Sequence, residues 1–526
     1  HLPTSRRSAG AREHRELIDH HRRVLDEDGI GVLRGWWHPT DLAAEGTQER
    51  LIGLVLCLRP REIDRGTRQV GQLAVDQPRG DRPRERDEGA VHAGILRHIA
   101  AMPHPRKLGP WTATALVVGN IIGAGIFMLP RELTPYGWTA VLGWILTVAG
   151  ALCLAWMFAQ LFTHLPTAGG VHGFMRLGVG PQAAFIGSWG YLVSVFAANA
   201  TLAISGVEYL SRLVPGGLAP DHRLALALLS LVAVLSANLI GRGGEVQLGT
   251  TIIKLVPLVL VIGVGALLLL ATAGDPLAAT APAPLQPWTV LPAMSLTLYA
   301  MTGIESAVVP ADAVEDAPRI VPRATMVGTA LSGAIGILAT CLVILLLPNA
   351  AGSDAPLADF VAGSAGGRAG DLVALCAVVS CIGCLNGYVL VGGELMATMA
   401  TQGMLPAPLA RRNGWGAPAL PQLIGAAITA VLIVAAYTAT SAFAFAALIT
   451  AATNITLYLL CLLASLRFLR DGRLPRSISL LIAIAGATTF SLLALVGAGA
   501  EALGWGAALI ALGWPLYRLA TRTGSV

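Results

Sequence analysis

Charge is scarce in this chain. Asp, Glu, Lys and Arg make up 13% of its 526 residues, against 54% hydrophobic, well below the roughly one quarter charged of a soluble domain. No GxxxxGK[ST] loop is present, which excludes ATP-driven work of the Walker type. No HExxH or comparable His/carboxylate set is present either, and an enzyme embedded in a membrane would need such ligands or clustered nucleophiles facing one cavity. The seven cysteines are scattered. Cys381 and Cys384 form a CxxC, but on an apolar stretch, so they read as packing rather than redox or metal chemistry. Neither a metal nor a cofactor is expected.

Long apolar runs fill the remainder. Windows near 20 residues predict about twelve membrane helices, near 111–129, 138–162, 184–210, 223–240, 250–272, 289–308, 324–348, 371–400, 419–437, 440–466, 478–496 and 500–519. The first hundred residues differ. Residues 1–101 hold about 33 of the 67 charged side chains, with no Lys, no Met and no long apolar run. Such a segment reads as solvated and disordered, and the absence of an apolar h-region excludes a secretory signal there. The first Met is Met102, followed by the short basic lead Pro103 to Lys107. The expectation is that 1–101 is upstream sequence translated in frame; a genuine cytoplasmic tail is the alternative. Residues 102–526 form the membrane domain.

The loops set the orientation. With both termini inside, inner loops and tails carry about fourteen Lys/Arg, among them Arg319, Arg323, Arg411, Arg412, Arg467, Arg470, Arg473 and Arg476. The outer loops carry about four: Arg131, Arg212, Arg223 and Arg368. That asymmetry obeys the positive-inside rule. The basic balance therefore reflects topology and not nucleic-acid binding.

Two spans are interrupted. Gly119-Asn120-Ile121-Ile122-Gly123-Ala124-Gly125-Ile126-Phe127 places a glycine cluster at membrane depth, which is tolerable only where backbone lines a site instead of facing lipid. Five spans later, Leu298-Tyr299-Ala300-Met301-Thr302-Gly303-Ile304-Glu305-Ser306 is again polar and glycine-bearing. Paired interruptions of this kind point to inverted five-helix repeats, about 111–272 and 289–466, with a substrate site between them. The last two spans, about 478–519, are then accessory. A channel would need polar rings along a continuous path, whereas polarity here is concentrated in the two breaks.

With these motifs, residues 102–526 resemble the amino acid–polyamine–organocation superfamily, and within it the basic amino acid/polyamine antiporters, most closely those exchanging arginine for agmatine. Asn120 within the first motif is more discriminating than the glycines, and Glu315 to Ala324 after the sixth span follows the family pattern. The resemblance implies an all-α, leucine-transporter-like 5+5 inverted repeat with broken helices 1 and 6. It also implies a bacterial inner-membrane location, usually as a homodimer.

The resemblance also implies a site. Ile121, Ile122, Gly123, Ala124 and Gly125 occupy the unwound stretch that holds the substrate's α-carboxylate and amine, a role suited to N–H groups at a half-helix N-terminus. Asn120 and Asn199 match two asparagines near bound substrate. Tyr299 and Tyr388 stand where the arginine/agmatine antiporters stack tryptophans on a guanidinium; a phenol still offers a π face to a cation, though a weaker one. Phe196 keeps an aromatic wall. Thr450 and Asn454 match polar positions of the tenth span, and Asn386 has no counterpart. Tyr191, Glu305 and Tyr458 correspond to an inner gate, with Glu305 either a proton site or a hydrogen-bonding latch. Glu208 and Glu394 lie near helix ends and read as interfacial.

Two departures stand out. His172 replaces a tyrosine linked to pH sensing, and its loop position also allows an uneventful role. Lys254 lies in the fifth span, where sodium-independent permeases of the superfamily carry a lysine in place of a sodium ion. Its alternatives are a proton-coupling group and a snorkelling side chain. The expected function is exchange of a cationic amino acid for its decarboxylated amine, arginine for agmatine being the nearest precedent, which with an internal decarboxylase consumes protons and confers acid resistance. A proton-coupled permease for neutral or broad-range amino acids is the alternative.

Overall fold

A computed structural model of the chain describes residues 110–165, 170–241, 253–271, 282–305 and 317–522. The chain divides into two units, His1–His104 and Pro105–Val526. The first unit, with the charged segment and the start at Met102, lies outside the described residues, as do residues 306–316.

Every regular element among the described residues is helical. The interrupted first span is two helices, α1 (Pro110–Ile121) and α2 (Ala124–Leu133). Then follow α3 (Trp138–His164), α4 (Gly170–Gly178), α5 (Pro181–Leu213), α6 (Pro220–Leu239), α7 (Val256–Ala271) and α8 (Val290–Ala300). The second half contains α9 (Ala317–Leu346), α10 (Pro356–Ala365), α11 (Gly367–Thr401), α12 (Ala419–Ala436) and α13 (Ala442–Arg470), with α14 (Ile478–Gly497) and α15 (Gly499–Arg522) last. Among the described residues nine helices are long and apolar enough to cross a membrane; the two interrupted segments and α15 complete the expected twelve. The chain is an all-α, multi-pass membrane protein.

Four pairs of spans five apart in the chain are in contact. Counting spans in chain order, α2 packs on α8, α3 on α9, α5 on α11, and α6 on α12. Each pair lies five spans apart, as expected when two five-helix units face each other across a pseudo-two-fold axis. The third span, α5, lies deepest: 94% of its apolar window is buried inside the protein, against 22% for α6. The lipid-facing helices show the reverse pattern, with Leu229, Val259, Val431 and Ile482 exposed, as hydrocarbon solvent allows.

Two helices differ from expectation. α4 and α10 are too short to span and lie between the predicted membrane segments. His172 therefore sits on α4, a helix held against α5 and α13. In α4 the buried Gly173, Phe174 and Met175 give a short stretch no periodic window of membrane length detects.

Candidate substrate site

The first break is open on one side and tight on the other. Gly123 caps α2 in an extended conformation (φ −128°, ψ −157°) without a side-chain cap bond, leaving first-turn N–H groups for an anionic ligand. A Cβ placed on Gly123 would meet nothing within 4 Å. At Gly125 it would come 2.8 Å from the Ala300 Cα and 3.1 Å from Tyr299 Cδ1. Thus α2 and α8 touch backbone to backbone beside the break, and only glycine permits that approach. Ile121 and Ile122 are buried in the core. Asn120 and Ala124 lie on α1 and α2, with side chains outside the described residues.

The second break follows α8. Met301 N–H bonds Leu298 O at 2.9 Å and Thr302 N–H bonds Tyr299 O at 3.3 Å; Gly303 then takes φ +106°, a left-handed value that side chains avoid. This turn delivers Glu305 into the core at 1% exposure. Its Oε2 accepts from the Tyr458 hydroxyl at 2.8 Å, and that hydroxyl accepts from Asn454 Nδ2 at 3.0 Å. Backbone N–H groups of Gly303 and of Glu305 itself also reach the carboxylate. Tyr191 on α5 and Tyr388 on α11 both lie within electrostatic reach of it. The neighbours touching Glu305 are hydrogen-bond donors, and no Lys or Arg pairs with it among the described residues.

So Tyr191, Glu305 and Tyr458 come together from α5, the second break and α13. Tyr388, assigned from the sequence to the substrate wall, lies between that cluster and Tyr299 and interacts with both. Tyr299 packs edge-on against Phe443, with centroids 5.7 Å apart. Of the residues assigned to the site, Asn199 and Asn454 each bury an Oδ1 that has no hydrogen bond. Thr450 is turned to its own helix, bonding Ala446 O at 2.9 Å. The Phe196 ring packs into the notch at Gly425 of α12, where an added Cβ would come within 2.6 Å of it; it joins helices more than it walls the first break.

Lys254 lies in a short helical turn, Ile253–Leu255, ahead of α7. It is buried at 4% exposure, and Nζ donates to Gly119 O at 2.5 Å. Gly119 belongs to the last turn of α1, whose carbonyls lack helical partners and carry the negative end of the helix dipole. The lysine thus caps the half-helix from within. It does not snorkel.

His172 Nδ1 lies 2.9 Å from Ser188 Oγ, and the ring also meets the Ala184 backbone, tying α4 to α5. Burial, followed by the nearby Arg176 charge, pushes the imidazole below its ordinary range, with the Ala184 contact opposing in part. Asn386, unassigned from sequence, accepts from Asn238 Nδ2 at 2.8 Å, an inter-helix hydrogen bond between α6 and α11. Cys381 and Cys384 are buried free thiols. Glu394 pairs with Arg412 at 2.6 Å at an exposed helix end.

Sequence reading missed a second polar cluster, at the C-terminal end of α2. Asp354 holds Arg131 at 3.0 Å and Arg223 at 2.6 Å, and Arg223 also pairs with Glu208. Close by, Glu132 Oε1 accepts from Ser441 Oγ at 2.7 Å, so α2 is tied to the start of α13 as well. Each charge lies near a span end, where single-sequence reading treats it as solvated; only the fold brings them together.

The profile of the amino acid permease family ("Amino acid permease") matches residues 108–515. The putrescine transporter PotE of Escherichia coli K12 is 28% identical over 423 residues, covering 78% of this chain and 96% of that protein. PotE of Haemophilus influenzae is 28% identical over 426 residues with the same coverage. The cadaverine/lysine antiporter of E. coli K12 is 30% identical over 339 residues, 63% of this chain and 76% of the antiporter.

Proposed function

The chain belongs to the amino acid permease family, a family of membrane transporters and not of enzymes, and from that premise we propose that it exchanges a cationic amino acid for the amine left by its decarboxylation. The observation carrying this reading is the buried Glu305 carboxylate, with the unpaired Asn454 Oδ1 on the side chain that bonds its Tyr458 partner and no Lys or Arg partner among the described residues. A buried charge left unpaired is costly. A substrate ammonium is the group that would complete such a site, and the uncapped first turn of α2 suits the α-carboxylate of the amino acid form.

Arginine for agmatine is the pair implied by the motif of the first break. Two points favour an aliphatic ammonium over a guanidinium. Tyr299 and Tyr388 replace the tryptophans that stack on a guanidinium, and relatives matched along most of the chain are named for putrescine and for cadaverine and lysine. Diamine and parent amino acid is therefore the favoured pair, with Tyr299 and Tyr388 as the aromatic wall and Tyr191, Glu305 and Tyr458 as the inner gate.

Proton-coupled uptake has one specific observation in its favour, the Lys254 ammonium on the α1 carbonyl end. That contact equally serves a fixed structural cation, and exchange requires nothing more of it.

The test is counterflow in liposomes holding the full chain. Labelled putrescine, lysine or arginine is supplied outside, with putrescine, cadaverine, agmatine, lysine or nothing trapped inside. Uptake requiring a trapped amine or cationic amino acid, and persisting without a proton gradient, is expected. Uptake into empty vesicles driven by an inward proton gradient would overturn exchange in favour of the permease.

A further inference from the structure

A groove of about 630 Å³ opens between the C-terminal ends of α4 and α13, lined by Gly178, Val179, Leu463, Leu466, Arg467, Arg470 and Asp471. None of these residues belongs to the substrate site or its gate. Its floor is close-packed, since a Cβ on Gly178 would fall 2.4 Å from Ala464 Cβ. Its α13 wall is a single helical face, because positions 463, 466, 467 and 470 follow the i, i+3, i+4, i+7 spacing. All four are exposed, with Leu463 at 50% and Leu466 at 49%.

The order along that face matches a membrane boundary. α13 has 29 residues, roughly 43 Å at 1.5 Å per residue, which exceeds the hydrocarbon core and places its last turns at headgroup depth. The two leucines lie on the membrane side and the two arginines at the end. Neither guanidinium has a hydrogen bond or ion pair among the described residues. Arginines serving topology alone need only water; these two share a concave wall with lipid-facing leucines.

The acidic member of the groove narrows the ligand. Asp471 caps α13 and is exposed; beside two arginines it would weaken the hold on a purely anionic headgroup. The carbonyl ends of α4 and α13 add further negative potential at the same place. We propose that the groove binds an aminophospholipid, its phosphate on Arg467 and Arg470 and its ammonium on Asp471, with the acyl chains along Leu463 and Leu466. Guanidinium pairs suit phosphate, and the juxtaposed carboxylate meets the ammonium that an anionic lipid lacks.

The experiment is native mass spectrometry of the full chain in detergent, titrated with phosphatidylethanolamine, phosphatidylglycerol or soluble glycerophosphoethanolamine. Preferential retention of phosphatidylethanolamine is expected. Arg467→Gln with Arg470→Gln should lower that retention roughly thirtyfold, given the contribution of each basic residue near a membrane surface. Asp471→Asn should erase the preference over phosphatidylglycerol while leaving the arginine-dependent retention. Arg473→Gln, a neighbouring cation outside the groove, should change nothing and controls for general loss of positive charge. Equal retention of both lipids by the unaltered chain would overturn the proposal. So would retention indifferent to the double substitution, or displacement of the lipid by the soluble headgroup at equal concentration.

Discussion

The Tyr458 hydroxyl donates to the Glu305 carboxylate at 2.8 Å, joining residues 153 positions apart in the chain. The bond ties α13 to the turn that follows α8 within the second half of the chain, so it can open only if that turn moves relative to α13. Removing one donor from a buried carboxylate costs about 1–3 kcal/mol. Tyr458→Phe is therefore expected to loosen the gate and raise uncoupled efflux of labelled amine from preloaded liposomes by about tenfold. Efflux unchanged from the parent would deny the pair its latch role.

Glu305→Gln separates charge from hydrogen bonding. The amide keeps an acceptor for Tyr458 but offers no negative charge to a substrate ammonium. The KM for a diamine should rise by about tenfold or more, since charge-assisted bonds are roughly twice as strong as neutral ones, and a neutral amino acid should be affected less. Equal losses for both would show that the carboxylate serves the fold and not the substrate.

Lys254 fixes the carbonyl end of α1 through Gly119 O. Lys254→Met keeps much of the side-chain volume and removes the cation, leaving those carbonyls buried without a donor. Exchange should fall by about tenfold or more, with the protein still reaching the membrane in comparable amount. The residual exchange should keep the parent's dependence on pH. If the variant instead exchanges normally but loses dependence on a proton gradient, Lys254 is a coupling group and exchange is not the native mode.

Gly123 and Gly125, two residues apart, should behave oppositely. Gly125→Ala forces a methyl to within 2.8 Å of the Ala300 backbone, closer than packed atoms allow, so α2 and α8 must separate; folded yield and exchange should both drop. Gly123→Ala adds a methyl to open space at a φ of −128° that alanine adopts readily. The folded yield should hold while KM for the amino acid form rises, because the methyl occupies the approach to the α2 N–H groups. Both statements are read from detergent-extracted yield beside counterflow kinetics.

The sequence carried the architecture far because hydrocarbon solvent imposes simple rules. Twelve apolar runs, two of them broken by glycine five spans apart, dictate helices and their symmetry, and the pairing of α3 with α9 and α5 with α11 follows. Glu305 was legible for the same reason, as a charge with no cheap place at membrane depth. The Arg131–Asp354–Arg223–Glu208 cluster was not, because each member ends a span and looks solvated alone. Nor was the contact of Lys254 with Gly119, which depends on where α1 stops. Tyr388 was legible as an aromatic at mid-span, yet its interactions with both Tyr299 and Glu305 needed the fold. Asn386 had no counterpart in the resemblance, and its bond to Asn238 is a contact between helices that only the fold supplies.

His172 gives the chain a pH dependence whose sign follows from its surroundings. The imidazole sits between α4 and α5, below its ordinary value of 6.5, chiefly because burial disfavours the charged ring and then because Arg176 repels it. In that window the unfolded chain binds more protons than the folded one, so stability rises with pH. The contribution is complete above about 6.5, is lost as pH falls from there through the lowered folded value, and is fully gone below it. Glutamine at 172 can still bond Ser188 but cannot titrate. Thermal unfolding of the detergent-solubilised full chain should therefore show a decline below about pH 6.5 that His172→Gln flattens. An unaltered slope in the variant would place the acid-labile group elsewhere. Because α4 packs on α13 as well as α5, protonation is expected to loosen the packing of the helix that carries Tyr458. Exchange at acid pH should accordingly become less tightly coupled in the parent than in His172→Gln.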